Sequence, residues 1–307
     1  MRAVSSLRKI LNQRGAIAVP GVYDALSAKI ADSLDFRVIF HTGYGTAASL
    51  LGLPDIGLVS FKEMVDRVES ICKATKKPVI ADADTGYGNA INTMRTVQQY
   101  VHAGVAGLIL EDQVWPKKCG HMGGKDVIPV DEMVGKIRAA VDARDEEGSD
   151  VVIIGRTDSF ATGGLGEAIE RVRLFEKAGA DVLFIEAPLE INDLKEIPKS
   201  VKLPLLLNQI EGGRTPIIPF REAERLGFKI ILFPLSSIFA ATRGMIDILD
   251  YMKRENTTTG LEEKMMTFDE FNKLVEVERF SDLETRYASS AINRRYKKSH
   301  DKDVSRR

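Results

Sequence analysis

The chain has 307 residues, of which 44% are hydrophobic and 28% are charged, and its formal net charge is −1. Its length suits one large hydrophobic core and falls in the range of a single α/β barrel with extensions. The balanced charge excludes the overall basic bias of nucleic-acid-binding proteins, and no apolar run approaches the roughly 18–20 residues that cross a membrane.

The two cysteines, Cys72 and Cys119, lie far apart in the sequence. This spacing does not indicate a disulfide framework and fits a reducing compartment. The N-terminal segment alternates charged and apolar residues, so it lacks the continuous apolar core of a signal peptide. We therefore expect a soluble, cytoplasmic protein without a nucleic-acid or membrane partner.

Eight short aliphatic or β-branched runs recur along the chain and predict strands, at residues 16–20, 37–42, 77–85, 107–113, 151–158, 181–188, 203–209 and 229–236. Segments with helical spacing of apolar residues separate most of these runs, at 61–75, 91–104, 131–147 and 164–180. Alternation of this kind predicts buried parallel strands. Eight such units favour a closed (β/α)8 barrel of the TIM type over an open sheet.

Helical spacing continues after the eighth strand, at 238–256 and 266–289. Thr267 is a plausible N-cap of the second segment, because Glu270 follows three residues later as in a capping box. The last residues are charged and almost without large aliphatics, which is typical of a frayed or disordered tail. The predicted organisation is a catalytic barrel at 1–256, a C-terminal helical extension at 257–292 and the tail at 293–307.

Polar residues stand at the downstream ends of successive predicted strands: Thr42, Asp82, Asp84, Glu111, Arg156, Glu186 and Asn208. The strands of such a barrel are parallel, so their C-terminal ends meet at one rim, where active sites of this fold are built. The sequence therefore predicts one polar site at this rim.

Acidic residues at the predicted rim are candidates for a metal site. Asp82 and Asp84 are two residues apart at a strand end, which places both on the same side of the pleat. Like charges this close need a cation, and Glu111 and Asp55 add further oxygen ligands of the kind that Mg²⁺ prefers. The same acids could instead cap helices or pair with Arg and Lys at the rim.

The segment 115–125 contains one proline and three glycines, and it predicts a mobile lid over bound substrate. Cys119 follows a lysine pair that begins at Lys117 and precedes His121, a cationic neighbourhood that is expected to lower the pKa of the thiol. Cys119 is therefore the candidate nucleophile or acid, with Lys117 and His121 as catalytic candidates and Gly120 as a substrate contact. The alternative is a loop cysteine without a chemical role.

Three rim residues could serve an anionic substrate. Arg156 can bind a carboxylate through two hydrogen bonds, and Asn208 can donate to another. Glu186 could hold Arg156 in position or bind a substrate hydroxyl. Each of the three could be structural, but their occurrence on one predicted rim indicates a binding site.

Together these motifs resemble the isocitrate lyase and phosphoenolpyruvate mutase superfamily over roughly residues 5–290. The matching segments are PGVYDALSA (20–28), TGYGTAASLLGLPDIG (42–57), DADTGYG (82–88), LEDQVWPKKCGHMGGK (110–125), GRTD (155–158), EAP (186–188) and NQIEGGRTP (208–216). The KKCGH motif is similar to that of the lyase branch, which phosphonate-forming mutases lack. Within the lyases, the chain looks most like the group of 2,3-dimethylmalate lyase and petal death protein, and it departs from methylisocitrate lyases around residues 40–44.

The resemblance implies roles for the site residues. Three residues would contact the 2-oxo acid portion of the substrate: Thr42, Gly43 and Tyr44. Asp82 would ligate Mg²⁺ directly, with Mn²⁺ as a possible substitute, while Asp55, Asp84 and Glu111 would hold metal-bound waters. Arg156 and Glu186 would serve the substrate, Asn208 would border its second carboxylate, and Cys119 would be the proton donor.

The expected activity is Mg²⁺-dependent cleavage of a 2-hydroxy di- or tricarboxylate to pyruvate or a related 2-oxo acid. Two alternatives use the same barrel: an oxaloacetate hydrolase or decarboxylase, and a phosphonomutase-type enzyme. A third, from another class, is a barrel that binds dicarboxylates without turnover. The resemblance also implies a homotetramer in which a C-terminal helix is exchanged between paired subunits.

Overall fold

The computed structural model describes residues 4–288, and their side chains from Leu7 onward. Within this range, eight parallel strands close into a barrel in which each strand pairs with its neighbours in sequence and the last strand returns to the first. The strands are β1 Ile17–Val22, β2 Ile39–His41, β3 Val79–Asp82, β4 Gly107–Glu111, β5 Val152–Thr157, β6 Val182–Ile185, β7 Leu205–Asn208 and β8 Ile230–Phe233. The predicted (β/α)8 fold is confirmed, and each strand overlaps its predicted run.

The described helices are α1 Val4–Leu11, α2 Ala25–Ser33, α3 Gly43–Thr46, α4 Phe61–Ala74, α5 Ala90–Ala103, α6 Val130–Glu146, α7 Phe160–Ala178, α8 Ile191–Ser200, α9 Phe220–Leu226, α10 Ser236–Glu255, α11 Phe268–Leu274 and α12 Val277–Tyr287. The predicted capping box at Thr267 and Glu270 is confirmed at the start of α11. The segment predicted as one helix at 266–289 divides into α11 and α12, because Glu276 adopts a left-handed backbone with φ 62°.

The core has two layers, and successive side chains of β4 point alternately into one and the other. Leu108 and Leu110 belong to the cluster between strands and helices, whereas Ile109 points into the barrel with Phe40 and Phe184. Both layers exclude water, and each fully buried side chain of this size contributes roughly 1.5–3 kcal/mol. The barrel interior is therefore packed, and a cavity can open only above its last layer of side chains.

The chain forms two compact units, one that ends at Arg243 and one that begins at Gly244. The first contains the barrel, and the second, as far as it is described, is helical. The sequence-based boundary at 256/257 stays a prediction, and the predicted tail at 293–307 lies outside the described residues. Among residues 4–288, no helix is both long enough and apolar enough to cross a membrane.

Candidate active site

The ends of the strands bring the predicted polar residues to one rim. Asp82, Glu111 and Asn208 are the last residues of β3, β4 and β7, while Thr42 and Glu186 directly follow β2 and β6. A cavity that opens to solvent lies at this rim. Twelve of the fourteen predicted site residues line it: Thr42, Tyr44, Asp55, Asp82, Glu111, Lys117, Cys119, Gly120, His121, Arg156, Glu186 and Asn208. The other two, Gly43 and Asp84, lie directly behind them.

The turn after β2 shows why Gly43 is a glycine. Thr42 caps the short helix α3 by accepting a hydrogen bond from the backbone N–H of Gly45 at 3.2 Å. A Cβ atom on residue 43 would lie 2.6 Å from Oδ2 of Asp82, which is closer than atoms in contact can approach. The backbone of this turn and the carboxylate of Asp82 are thus packed directly against each other.

The buried carboxylate of Glu111 and the half-buried carboxylate of Asp82 face the cavity without full compensation. Burial and the nearby charge of Asp84 raise the pKa of Asp82 to about 6, and burial raises the pKa of Glu111 well above its usual range. Glu111 Oε1 accepts no hydrogen bond from any described residue. Carboxylates of this kind gain from a bound cation.

The other two predicted metal-site residues are already paired with a cation of the chain. Lys117 Nζ lies 2.7 Å from Oδ1 of Asp55 and 2.7 Å from Oδ1 of Asp84. The second oxygen of Asp84 accepts a hydrogen bond from the hydroxyl of Tyr87 at 2.8 Å. Pairing with lysine, the alternative open from sequence, therefore accounts for Asp55 and Asp84 in this structure.

The donor set nevertheless fits Mg²⁺. Within residues 4–288 no three His, Cys, Asp or Glu side chains form a ready-made metal cluster. Mg²⁺ usually takes only one or two protein carboxylates and keeps several waters, and Asp82 with the orphaned Glu111 Oε1 meets that requirement. The four-residue metal site stays a prediction.

The segment 115–125 covers the rim as a lid. The backbone N–H of Cys119 donates to the carbonyl of Asp55 at 3.1 Å, and the Lys117 side chain beside it is only 4% exposed. The Trp115 ring at the start of the lid lies 6.3 Å from the ring of Tyr87. Backbone, charge and aromatic contacts therefore all hold the lid against the barrel.

The predicted lowering of the Cys119 pKa is wrong. Burial raises the pKa of the Cys119 thiol to about 11, and the charges of Asp55 and Glu186 add to the effect. The expected cationic neighbour, Lys117, turns to the carboxylates below the lid instead of facing the sulfur. At neutral pH the thiol keeps its proton, so it is suited to be an acid rather than a ready nucleophile.

Glu186 contacts two basic side chains that face the cavity. Its Oε1 lies 2.7 Å from Nε2 of His121 in the lid, and its Oε2 lies 3.5 Å from Nη1 of Arg156. Burial alone would raise its pKa, but the charge of Arg156 and the hydrogen bond to His121 lower it to about 2. Of the two roles left open from sequence, this geometry favours positioning of Arg156. Asn208 Nδ2 donates weakly to the same carboxylate at 3.3 Å.

One part of the cavity wall is apolar. Ile210, Pro234 and Leu235 line it on the side of β7 and β8, and Ile210 and Leu235 belong to one hydrophobic cluster. Sequence reasoning assigned no function to these residues, because an aliphatic side chain after a strand looks the same whether it packs in a core or lines a cavity.

Sequence reasoning also missed two charged residues behind the lid, Asp158 and Lys125. Asp158 follows Arg156 by two residues, a spacing that places both on one side of an extended strand, so the GRTD motif carries a signal for it. Lys125 offers no comparable signal, because its carboxylate partner is 33 residues away in sequence.

Comparison with known proteins places the whole chain among relatives. The model of the family described as phosphoenolpyruvate phosphomutase matches residues 7–252. The 2,3-dimethylmalate lyase of Eubacterium barkeri is 45% identical over 289 residues, which are 94% of this chain and 99% of that protein. A chloroplastic carboxyvinyl-carboxyphosphonate phosphorylmutase of Arabidopsis thaliana is 45% identical over 292 residues, covering 94% of this chain and 86% of that protein.

Solved structures show the same similarity in fold. An oxaloacetate acetylhydrolase in complex with 3,3-difluorooxalacetate matches with a TM-score of 0.88 and 35% identity, over 92% of this chain and 96% of that chain. A phosphonopyruvate hydrolase in complex with oxalate and Mg²⁺ matches with a TM-score of 0.83 and 27% identity, over 92% and 98% of the two chains. These relatives include enzymes named for cleavage, transfer and hydrolysis, so the fold alone does not select the reaction.

Proposed function

The chain belongs to the phosphoenolpyruvate mutase and isocitrate lyase superfamily, and from this membership we propose that it is a Mg²⁺-dependent carbon–carbon lyase. Its substrate is a 2-hydroxy dicarboxylate of the 2,3-dimethylmalate type, which it cleaves to pyruvate or a related 2-oxo acid and a second carboxylic acid. The observation that carries the proposal is the placement of Cys119, which the lid holds over a cavity lined by charged residues and by an apolar wall.

The proposed reaction breaks the bond between C2 and C3 of the substrate. The 2-hydroxyl loses its proton to a base, the oxygen forms a carbonyl with C2, and the electron pair of the broken bond moves to C3 and into its carboxylate. Cys119 Sγ–H then transfers its proton to C3, which releases the second acid. The thiol is restored by proton return before the next turnover. A positioned general acid of this kind contributes roughly 10²–10⁴-fold to rate.

Arg156 and Glu186 support this chemistry from the rim. The guanidinium of Arg156 lines the cavity and is the cation we assign to a substrate carboxylate. Glu186 stays ionised, so it keeps Arg156 and His121 oriented toward the substrate. Tyr44 also lines the cavity, and because burial raises the pKa of its hydroxyl it is a hydrogen-bond donor at neutral pH. The base is therefore assigned to a carboxylate of the acidic cluster rather than to Tyr44.

Mg²⁺ is the proposed cofactor, held by Asp82 and Glu111, and when bound it would stabilise the charge that develops on the oxygen atom at C2. Two observations support it: the under-compensated carboxylates of this chain and the Mg²⁺ named in the complex of a related hydrolase. Mn²⁺ has similar ligand preferences and is expected to substitute.

The walls of the cavity favour methyl substituents over a third carboxylate. Ile210 and Leu235 offer apolar surface to a methyl group, which gains about 0.8 kcal/mol per buried CH₂ unit. The third carboxylate of a substrate such as 2-methylisocitrate would lose its hydration against this apolar wall.

Hydrolysis of oxaloacetate on the same platform is the second candidate, and the fold similarity to an oxaloacetate acetylhydrolase favours it. One experiment separates the two. Products are identified by mass spectrometry after incubation with malate, citramalate, 2,3-dimethylmalate, isocitrate, 2-methylisocitrate and oxaloacetate. Formation of pyruvate or another 2-oxo acid from a 2-hydroxy acid supports the lyase. If oxaloacetate is the one compound that reacts, and it gives acetate and oxalate, the protein is the hydrolase instead. If none of these compounds is turned over, the remaining alternative is a barrel that binds dicarboxylates without catalysis.

We also propose a cytoplasmic homotetramer with exchange of a C-terminal helix. Exposed apolar side chains of the second unit support an interface, since Phe268 is 80% and Phe280 is 56% exposed. Both cysteines are free, as expected in a reducing compartment.

A further inference from the structure

Lys125 is a buried lysine at the end of the lid. Its side chain is only 1% exposed. Its ammonium donates one hydrogen bond to the carbonyl of Gly120 and a second to Oδ1 of Asp158 at 2.7 Å. A buried ammonium is costly unless it is fully paired, and these two acceptors supply that pairing.

Asp158 joins Lys125 to Arg156. Its side chain is completely buried, and it accepts hydrogen bonds from Nε of Arg156 at 2.8 Å and from Nη2 at 3.1 Å. One carboxylate is therefore shared between the lysine of the lid and the guanidinium assigned to substrate binding. Both contacts are charge-assisted, which makes them about twice as strong as neutral hydrogen bonds.

The contacts continue around the lid through alternating basic and acidic side chains. Arg156 pairs with Glu186, and Glu186 pairs with His121, which is again a lid residue. Gly120 lies inside this chain, because a Cβ atom on it would fall 2.5 Å from Nη2 of Arg156 and 2.5 Å from Cγ of Glu186. The lid backbone next to Cys119 is thus held by Lys125 on one side and by His121 on the other.

We propose that Lys125 is a positioning residue that fixes the lid backbone at Gly120, and with it the Cys119 thiol, relative to Arg156 through Asp158. A neutral side chain at 125 leaves the carbonyl of Gly120 without its donor and leaves Asp158 with one cation instead of two. The lid then loses the charged attachment that holds its C-terminal end to the rim. The importance of this for turnover rests on the proposed role of Cys119, but the placement of the thiol can be measured without turnover.

The test follows alkylation of Cys119 by iodoacetamide at about pH 8 in the full-length protein, with the modified peptide identified by mass spectrometry. Lys125→Met is expected to raise the alkylation rate roughly 10- to 100-fold, as expected for the loss of a charge-assisted hydrogen bond. Asp158→Asn should also raise the alkylation rate. The rate in the double variant should be only slightly higher than in the faster single variant, because both substitutions remove the same Lys125–Asp158 contact. Lys125→Arg keeps the charge and the donors, so it should restore most of the protection.

Lys136→Met is the matched control, since Lys136 is also a buried lysine, donates to the carbonyl of Thr85 and lies outside the lid. It should leave the rate of Cys119 alkylation at the wild-type value. Trp115 is the one tryptophan of the sequence, so its emission reports independently on the lid and should shift in Lys125→Met but not in Lys136→Met.

Three results overturn the inference: unchanged alkylation in Lys125→Met, equal acceleration in Lys136→Met, or a wild-type thiol that already reacts as fast as in the unfolded chain. Failure of the proposed function is a separate result. An absence of turnover with every 2-hydroxy acid would remove the lyase assignment and leave the alkylation rates unaffected.

Discussion

Glu111 and Arg156 stand opposite each other on β4 and β5, and Oε2 of the glutamate lies 3.3 Å from Nη2 of the arginine. The other oxygen of Glu111 has no partner among the described residues. The Glu111 carboxylate therefore contacts the guanidinium proposed to bind the substrate with one oxygen, and its other oxygen is available to the proposed metal. Loss of Glu111 should affect both metal and substrate affinity, whereas loss of Asp82 should affect the metal first.

Removal of the metal is expected to abolish cleavage. Exhaustive treatment with EDTA should eliminate activity, and Mg²⁺ or Mn²⁺ should restore it. Asp82→Ala should cost more activity than Asp55→Ala, because Asp55 is already paired with Lys117. Full activity after chelation would contradict the metal assignment.

The thermal stability of the metal-free protein provides a second test of the role of Asp82. Its pKa of about 6 means that ionisation is unfavourable in the folded chain. Asp82→Asn removes that charge and should raise the melting temperature of metal-free protein near pH 8, while it abolishes any further gain from added Mg²⁺. A lower melting temperature without metal would show that the carboxylate is stabilising by itself.

Replacement of the thiol tests the proton donor. Cys119→Ser keeps the size of the group but not its acidity, so kcat should fall roughly 10²–10⁴-fold, with pyruvate or oxalate binding nearly unchanged in calorimetry. Cys72→Ser is the control, because Cys72 lies in α4 away from the cavity and should leave kcat near wild type. A fully active Cys119→Ser protein would remove the cysteine from the mechanism.

The protonation state of Cys119 can be titrated directly. Because its pKa is raised to about 11, the rate of alkylation at this residue should keep rising to about pH 11, well above the value of about 8.5 for an unperturbed thiol. Ionisation of the buried thiol opposes folding, so the free energy of unfolding should decline over the same interval. A midpoint near 8.5 would show an exposed thiol and an open lid.

Acid stability reports on Glu186. Its pKa in the folded chain is about 2, below the ordinary value of 4.5, so the folded state binds fewer protons than the unfolded state between these values. Its contribution to stability is present above about pH 4.5 and is lost as the pH falls toward 2. Urea denaturation at pH 5 and pH 3 should show a smaller loss for Glu186→Gln than for the wild type, and equal losses would contradict the pairing.

Light scattering at micromolar concentration tests the assembly. A tetramer is expected, and Phe268→Asp with Phe280→Asp should shift it to smaller species, because both side chains are largely exposed in one chain. An active wild-type monomer would refute the proposed exchange of helices.

The barrel could be predicted because eight short aliphatic runs alternate with helical segments, and a full set of eight such units favours a closed barrel over an open sheet. The rim residues could be predicted because parallel strands end together, as Asp82 and Asn208 do. The pKa of Cys119 could not, since it depends on where Lys117 turns and on burial that only the folded lid creates. The break between α11 and α12 at Glu276 could not be predicted either, because nothing in the local sequence indicates that this glutamate adopts a positive φ.

Gly43 limits which parts of the cavity can change during evolution. Any side chain at 43 would displace the Asp82 carboxylate, so we expect this one position to stay glycine wherever the acidic site is kept. The wall of Ile210, Pro234 and Leu235 carries no such constraint from a charged partner. New substrate preferences in this barrel should therefore arise at wall residues such as these, while Gly43 and Asp82 keep the shared chemistry of the first step.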